Sequence, residues 1–404
     1  MNTFAQPPQV APLRQDAAVI GFVGLAHASS HFSHLLLPLM FPVFMKTFGL
    51  SYSELGLLMS VFFIVSGVGQ ASAGFLVDKL GARPVMFASM TLFTVASVMA
   101  GVAQSYTGLM LAAALYGLGN CAFHPVDYTI LNQRVSTPRL GYAYSVHGLT
   151  GNLGWALAPV FMVGLSTAFD WRVAYFGAAM FFVTILLLLI WQRSNLVTHV
   201  VQHAHDEVKE HSLAFLKIPV VWWCFAFFFL STMTLAVVQS FSVSILQAMH
   251  HVSFEAATVT LTAYMLCAAA GMFLGGFVAA RFPTHSDRVV AGCMTAAAAC
   301  MALCGSGWLN ADVTMLVLAA TGLAIGIGGP SRDMMIKKAT PKGATGRVYG
   351  MVYSGLDVGF ATSPLIFGAF MDRGWYGATL MGAAVVLLMS VLVALGVGRR
   401  TVHA

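Results

Sequence analysis

Nine side chains able to pair, donate or accept a charge lie inside apolar runs of this 404-residue sequence: His27, His31, His34, His124, His147, Asp127, Asp333, Asp357 and Arg332. A charge at membrane depth costs at least about 2.5–3.5 kcal/mol on insertion scales, so the few that are kept there are informative. Spacings of four and three put His27, His31 and His34 on one face of a helix. That stripe fits three chemistries. It can hydrogen-bond to neighbouring helices, exchange protons or substrate near neutral pH, or chelate a divalent ion. A transported metal would also want carboxylates or thiolates nearby. His124 and Asp127 are three apart and share a face, and Pro125 between them frees a backbone carbonyl. An uncompensated Asp at that depth suits a proton carrier, because desolvation penalises its charge. The alternative is a structural partnership with His124 or His147. Farther on, Gly326, Gly328 and Gly329-Pro330 precede Arg332-Asp333, and this stretch is expected to bend or unwind. Asp357 is at a depth to pair with Arg332, whereas Asp333 lies about 100° around the helix from it. The guanidinium fork also matches a carboxylate or phosphonate bidentately.

The elements that must position these groups follow from composition. Hydrophobic residues make up 58% of the chain and charged residues only 8%, against about 25% charged in soluble proteins. This excludes a soluble enzyme, a nucleic-acid binder and a disordered scaffold. The net charge of +6 then reads as basic loops at a membrane rather than as a nucleic-acid surface. Apolar runs at 17–45, 54–77, 84–103, 107–131, 142–168, 172–191, 220–248, 254–280, 288–309, 313–336, 348–371 and 375–397 predict about twelve crossings. The sequence thus divides into an N-terminal tail (1–16), a six-helix bundle (17–191), a polar linker (192–218), a second six-helix bundle (219–398) and a short tail (399–404). The linker holds His199, His203, His205 and His211; a solvated connection is the simpler reading than a metal-sensing tract. The polar tail followed by a long apolar run reads as a first crossing, not a cleaved signal.

With the N-terminus inside, sixteen of the twenty Lys and Arg residues fall on cytoplasmic segments, which places both termini in the cytoplasm. Trp171, Trp191, Trp222, Trp223, Trp308 and Trp375 sit at the ends of runs, as an interfacial belt requires. The six cysteines lie in apolar runs and read as small packing residues. Low cysteine use and a short linker fit a bacterial inner membrane. No P-loop, nucleophile elbow or zinc-protease pattern occurs, so neither ATP-driven pumping nor enzymatic catalysis is indicated.

The halves repeat at an offset of 205 residues. Gly117-Leu118 through His124-Pro125 aligns with Gly322-Leu323 through Gly329-Pro330, and Pro159 with Pro364. Parallel halves of this kind hold a midplane site between them.

The loop after the second run reads Gly74-Phe75-Leu76-Val77-Asp78-Lys79-Leu80-Gly81-Ala82-Arg83. It resembles the signature loop of the major facilitator superfamily, G-x-L-x-D-R/K-x-G-R/K. The second-half counterpart from Gly275 to Arg281 is degenerate, with Ala279 at the acidic position. The fifth run, with Gly148, Gly151, Gly154 and Ala158-Pro159, looks like the superfamily's glycine-rich helix but lacks the Gly-Pro pair of its antiporter form. His124-Pro125 is similar to the corresponding pair of fosmidomycin-resistance-like and organic-anion porter members. The resemblance implies an all-α rocker-switch carrier, acting as a monomer, whose helices 1, 4, 7 and 10 line the cavity.

On that architecture Arg332, His31, His34, His124 and Gln239 are expected to bind substrate. Asp127, Asp333, Asp357 and His27 are expected to handle protons. Gly74, Asp78, Lys79, Gly81 and Arg83 form the conformational loop, where Asp78 can cap a helix N-terminus and the basic residues can meet acids or lipid phosphate. The function expected is proton-coupled transport of a small organic anion by alternating access, with the proton as coupling ion and no metal or other cofactor. Three acids against one fixed cation keep open a proton-driven exporter of amphipathic cations. A metal or siderophore permease, or a non-transporting sensor, is the third reading. The charge bias carries a direct test: a reporter active only in the cytoplasm, fused to either terminus, should be active in both fusions, and activity of a periplasm-dependent reporter there would reverse the orientation.

Overall fold

Prolines decide where the apolar runs stay continuous and where they break. The computed structural model describes residues 11–198, 218–339 and 345–401, and the linker histidines lie outside these residues. Every regular element among the described residues is helical. The first run divides into α1 (Leu13–Leu36), a 3-10 turn (Pro38–Met40) and α2 (Phe41–Phe48), because Pro38 and Pro42 withhold N–H donors from the preceding turn. The fourth run divides into α5 (Tyr106–Asn120) and α6 (Phe123–Arg134). Pro125 cannot donate to the carbonyl of residue 121, and the break falls at that point.

The other crossings are single helices: α3 (Tyr52–Leu80), α4 (Ala82–Val102), α7 (Leu140–Ala168) and α8 (Trp171–Trp191) in the first half, then α9 (Pro219–His250), α10 (Phe254–Arg281), α11 (Ser286–Gly305), α12 (Ala311–Ala339), α13 (Thr345–Asp372) and α14 (Tyr376–Thr401). Among the described residues, eleven helical stretches are long and apolar enough to cross a membrane. The twelfth expected crossing begins with α1, whose 24 residues reach about 36 Å. Its apolar run is interrupted by His27, Ser29, Ser30, His31, Ser33 and His34, most of them buried against neighbouring helices and away from lipid.

The predicted unwinding near Arg332 is not seen: α12 runs continuously through Pro330. Its glycines serve close packing instead. A Cβ on Gly322 would stand 2.2 Å from the carbonyl oxygen of Tyr264, and one on Gly326 2.2 Å from that of Ala268. Backbone thus meets backbone along the α10–α12 pair. Gly117, 205 residues earlier, does the same in the first half, 2.3 Å from the carbonyl oxygen of Phe62 on α3. The internal repeat is a repeat of helix contacts.

The loop between α3 and α4 turns on Gly81, whose φ of +84° favours glycine. Ala82 N–H donates to Thr198 Oγ1 at 2.9 Å, and Arg83 reaches the carbonyl of Arg193. The loop is thereby tied to the chain that follows α8.

The halves meet along α3 with α13 and α7 with α10. At the end away from the termini they close. Asp372, at the last turn of α13, accepts from the backbone N–H groups of Tyr52 (2.6 Å) and Ser53 (3.0 Å) and from the Ser53 hydroxyl. It caps the N-terminus of a helix in the other half. One turn deeper, a Cβ on Gly56 would stand 2.4 Å from the Pro364 carbonyl oxygen, and Ser60 Oγ donates to the Ala361 carbonyl at 2.6 Å. Thr167 and Glu255 meet across α7 and α10 at the same end. Gly56→Val should therefore force this closed end apart, at a cost of about 1–3 kcal/mol. The checks are a lowered unfolding temperature in detergent and faster maleimide labelling of a cysteine placed at Ser53; unchanged labelling would disprove the contact's role in closure.

Candidate functional site

The buried polar groups of α1, α6 and α7 converge on one carboxylate. Asp127 has no exposed surface. Its Oδ2 accepts a hydrogen bond from His147 Nε2 at 3.0 Å. His27 Nδ1 lies 3.0 Å from the same oxygen, but its direction is not that of a hydrogen bond, and it is left without a hydrogen-bond partner. Asp127 Oδ1 also lacks one. The His27 and His147 rings stack at 3.6 Å. His31 stands 4.5 Å from His27, and His124 5.7 Å. Four imidazoles thus form one group, built on α1 and closed by α6 and α7. The group is possible because residue 151 is glycine. A Cβ there would lie 2.7 Å from His31 Cε1 and 3.1 Å from His27 Nε2. The glycine-rich face of α7 makes room for imidazole.

His34 belongs to the same stripe but is engaged differently. Trp155 Nε1 donates to His34 Nδ1 at 3.3 Å, so the proton of the neutral ring sits on Nε2, which faces Asn120 Oδ1 at 3.0 Å. Asn120 Oδ1 also accepts from Ser30 Oγ at 2.6 Å, and its Nδ2 donates to Ser66 Oγ at 2.9 Å. Both His34 nitrogens are therefore used by protein. This part of the stripe ties α1, α3, α5 and α7 together. Trp155 is the one tryptophan of seven not at the end of a predicted run, and Asn120 sits one turn before His124. Those two signals mark the network, and the sequence reading passed over both.

The second half contributes Arg332. The expected pairing with Asp357 is not seen. Arg332 Nε donates instead to Asp333 Oδ1 at 2.9 Å, since the long Arg stem can fold back onto its sequence neighbour. Asp357 lies against α3, its Cβ 3.2 Å from where a Cβ on Gly67 would stand. Arg332 lies over the Phe228 ring, 5.2 Å from its centroid, and is within electrostatic reach of Tyr128 on α6. Tyr128 in turn packs 5.2 Å from the His147 ring and 6.4 Å from that of His124. This tyrosine, also absent from the sequence reading, stands between the histidine group and the guanidinium. Gln239 is buried on α9, and its Nε2 has no protein partner among the described residues. Asp78 and Lys79 lie in the last turn of α3, at the end of the bundle that carries the termini.

Two parallel helical halves with titratable groups on one and a fixed cation on the other define a multi-pass membrane transporter, not an enzyme. The chain belongs to the Major Facilitator Superfamily, whose profile matches residues 23–259 and 232–403. A probable 4-methylmuconolactone transporter of Cupriavidus pinatubonensis is 30% identical over 154 residues, 37% of this chain and 36% of that one. The fosmidomycin resistance protein of Escherichia coli is 24% identical over 272 residues, 65% of each chain. A probable sulfoacetate transporter of Cupriavidus necator is 24% identical over 157 residues, 39% of this chain and 36% of that one. The matches span less than two thirds of the length of these relatives. A solved bacterial homologue of the human lysosomal transporter Spinster, inward-facing and unoccupied, superposes with a TM-score of 0.75. The match covers 97% of this chain and 99% of that chain at 15% identity; this is a likeness of fold.

Asn120 supplies the acceptor for two buried donors, so Asn120→Ala should cost about 1–3 kcal/mol by leaving them unpaired. Ser72→Ala, at an exposed hydroxyl bonded only within its own helix, should cost under about 0.5 kcal/mol. Thermal unfolding of the two variants side by side checks the contrast, and equal losses would remove the network's importance.

Proposed function

We propose that the protein is a proton-coupled carrier of a small organic anion, working as a monomer in a bacterial inner membrane with both termini in the cytoplasm. The observation that carries this reading is the division of labour between halves. Asp127 with His27, His147 and His124 forms a buried group that can take and release protons. Arg332 is, among the described residues, the guanidinium that lies inside a crossing, and it is 29% exposed. An incoming carboxylate or sulfonate can displace Asp333 from Arg332, because Asp333 is 53% exposed and keeps water when released. Tyr128 connects the two sites, so the proton load of one is felt at the other. The names of relatives that handle anions, sulfoacetate among them, support the substrate class. The halves close at the end away from the termini, which on this reading is the outer end.

The exposed Asp333 carboxylate also favours a second reading, proton-driven export of amphipathic cations. Thermal stabilisation of the detergent-purified chain separates the two. The panel contains mono- and dicarboxylates, sulfonates, phosphonates and lipophilic cations. Anions should stabilise it, more at about pH 5.5 than at about pH 7.5, across the range where imidazoles take up protons. Arg332→Ala should abolish that effect without unfolding the protein. Stabilisation by lipophilic cations alone, unchanged in Arg332→Ala, would replace the anion reading with the export reading.

A further inference from the structure

We propose that His27, Asp127 and His147 form a binding site for a divalent transition metal of the zinc class. Their ligand atoms, one from each residue, lie within 4.8 Å of one another. Two of the edges, from Asp127 Oδ2 to each imidazole nitrogen, are 3.0 Å. A tetrahedral shell with metal–ligand bonds near 2.1 Å has edges of about 3.4 Å, so small ring rotations open the group to that size. The donors are two nitrogens and one carboxylate oxygen, which suits zinc, cobalt or nickel, whereas magnesium and calcium want oxygen throughout.

A second observation points the same way. His27 Nδ1 and Asp127 Oδ1 are buried without hydrogen-bond partners, on residues that are 3% and 0% exposed. Unpaired buried groups of this kind are unfavourable in a structure that only needs internal bonds. A cation at the centre of the group would engage both the nitrogen and the carboxylate. The three ligands come from α1, α6 and α7, all in one half, so the site does not need the other half to be complete. His124, which is partly exposed, stands beside the three, 5.7 Å from the His27 ring and 6.4 Å from the His147 ring. His31, His34 and Tyr128 are further titratable groups around it.

The site stands on geometry alone. Its consequence rests on the function proposed above: if Asp127 carries the coupling proton, a metal held there takes its place and arrests transport. Binding is therefore tested apart from transport, on the full-length chain in detergent after chelator treatment. Cobalt titration, followed by the visible absorption of low-coordinate cobalt, should saturate at one equivalent, and zinc should displace it. The double variant His27→Ala/His147→Ala and the single variant Asp127→Asn should each lose at least tenfold in affinity. His285→Ala, at an exposed histidine in a loop, should bind as the parent does. Equal metal-free unfolding temperatures of Asp127→Asn and the parent show that the loss is not misfolding. Absence of cobalt absorption in the parent, undiminished binding in the double variant, or displacement by magnesium overturns the proposal. Arg332→Ala addresses the anion reading with a different ligand, so either proposal can fail alone.

Discussion

A carboxylate with no exposed surface in the middle of a helical bundle is the constraint around which the first half is arranged. Asp127 cannot be left to itself, because an unpaired charge in a medium of low dielectric is strongly unfavourable. The fold answers with imidazoles, groups that can be neutral or charged and can donate from either nitrogen. Placing two of them on one oxygen requires α1, α6 and α7 to come close. That in turn requires Gly151 opposite the rings and the break before α6 that Pro125 creates. Sequence features that look like separate oddities, a histidine stripe, a mid-helix proline and a glycine-rich helix, are parts of one arrangement.

The second half uses the same helix contacts without the same chemistry. Gly322 meets Tyr264 as Gly117 meets Phe62, so the scaffold is duplicated. The residue aligned with Asp127 at the 205 offset is Arg332, so the charge there is reversed. Its partner is the adjacent Asp333, exposed enough to be hydrated when it lets go. One half holds its charges away from water and the other keeps them within reach of it. The repeat is therefore one of scaffold and not of charge.

Much of this was legible in the sequence. Run lengths and the positive-inside bias marked the helices, the signature loop marked the superfamily, and the buried titratable residues were found by their cost in a membrane. What escaped were relations that depend on three-dimensional packing. His34 is indistinguishable from His31 by spacing, yet Trp155 and Asn120 occupy both its nitrogens while His31 Nδ1 stays unpartnered. Arg332 was expected to reach Asp357, but helical periodicity says little about a side chain long enough to turn back on its neighbour. The glycines before Arg332 were read as flexibility, because a helix too close to another helix for a Cβ looks the same in sequence as a helix about to unwind.

The cap that Asp372 places on α3 ties the closure of one end to a helix dipole and a carboxylate standing in water. Such an attraction is weakened by dissolved ions and fades within about 10 Å at ordinary salt. The buried histidine group, shielded from those ions, feels none of this. The closed end and the buried group therefore answer to different surroundings: dissolved salt sets how firmly the Asp372 cap is held, and the interior of the bundle is screened by it far less.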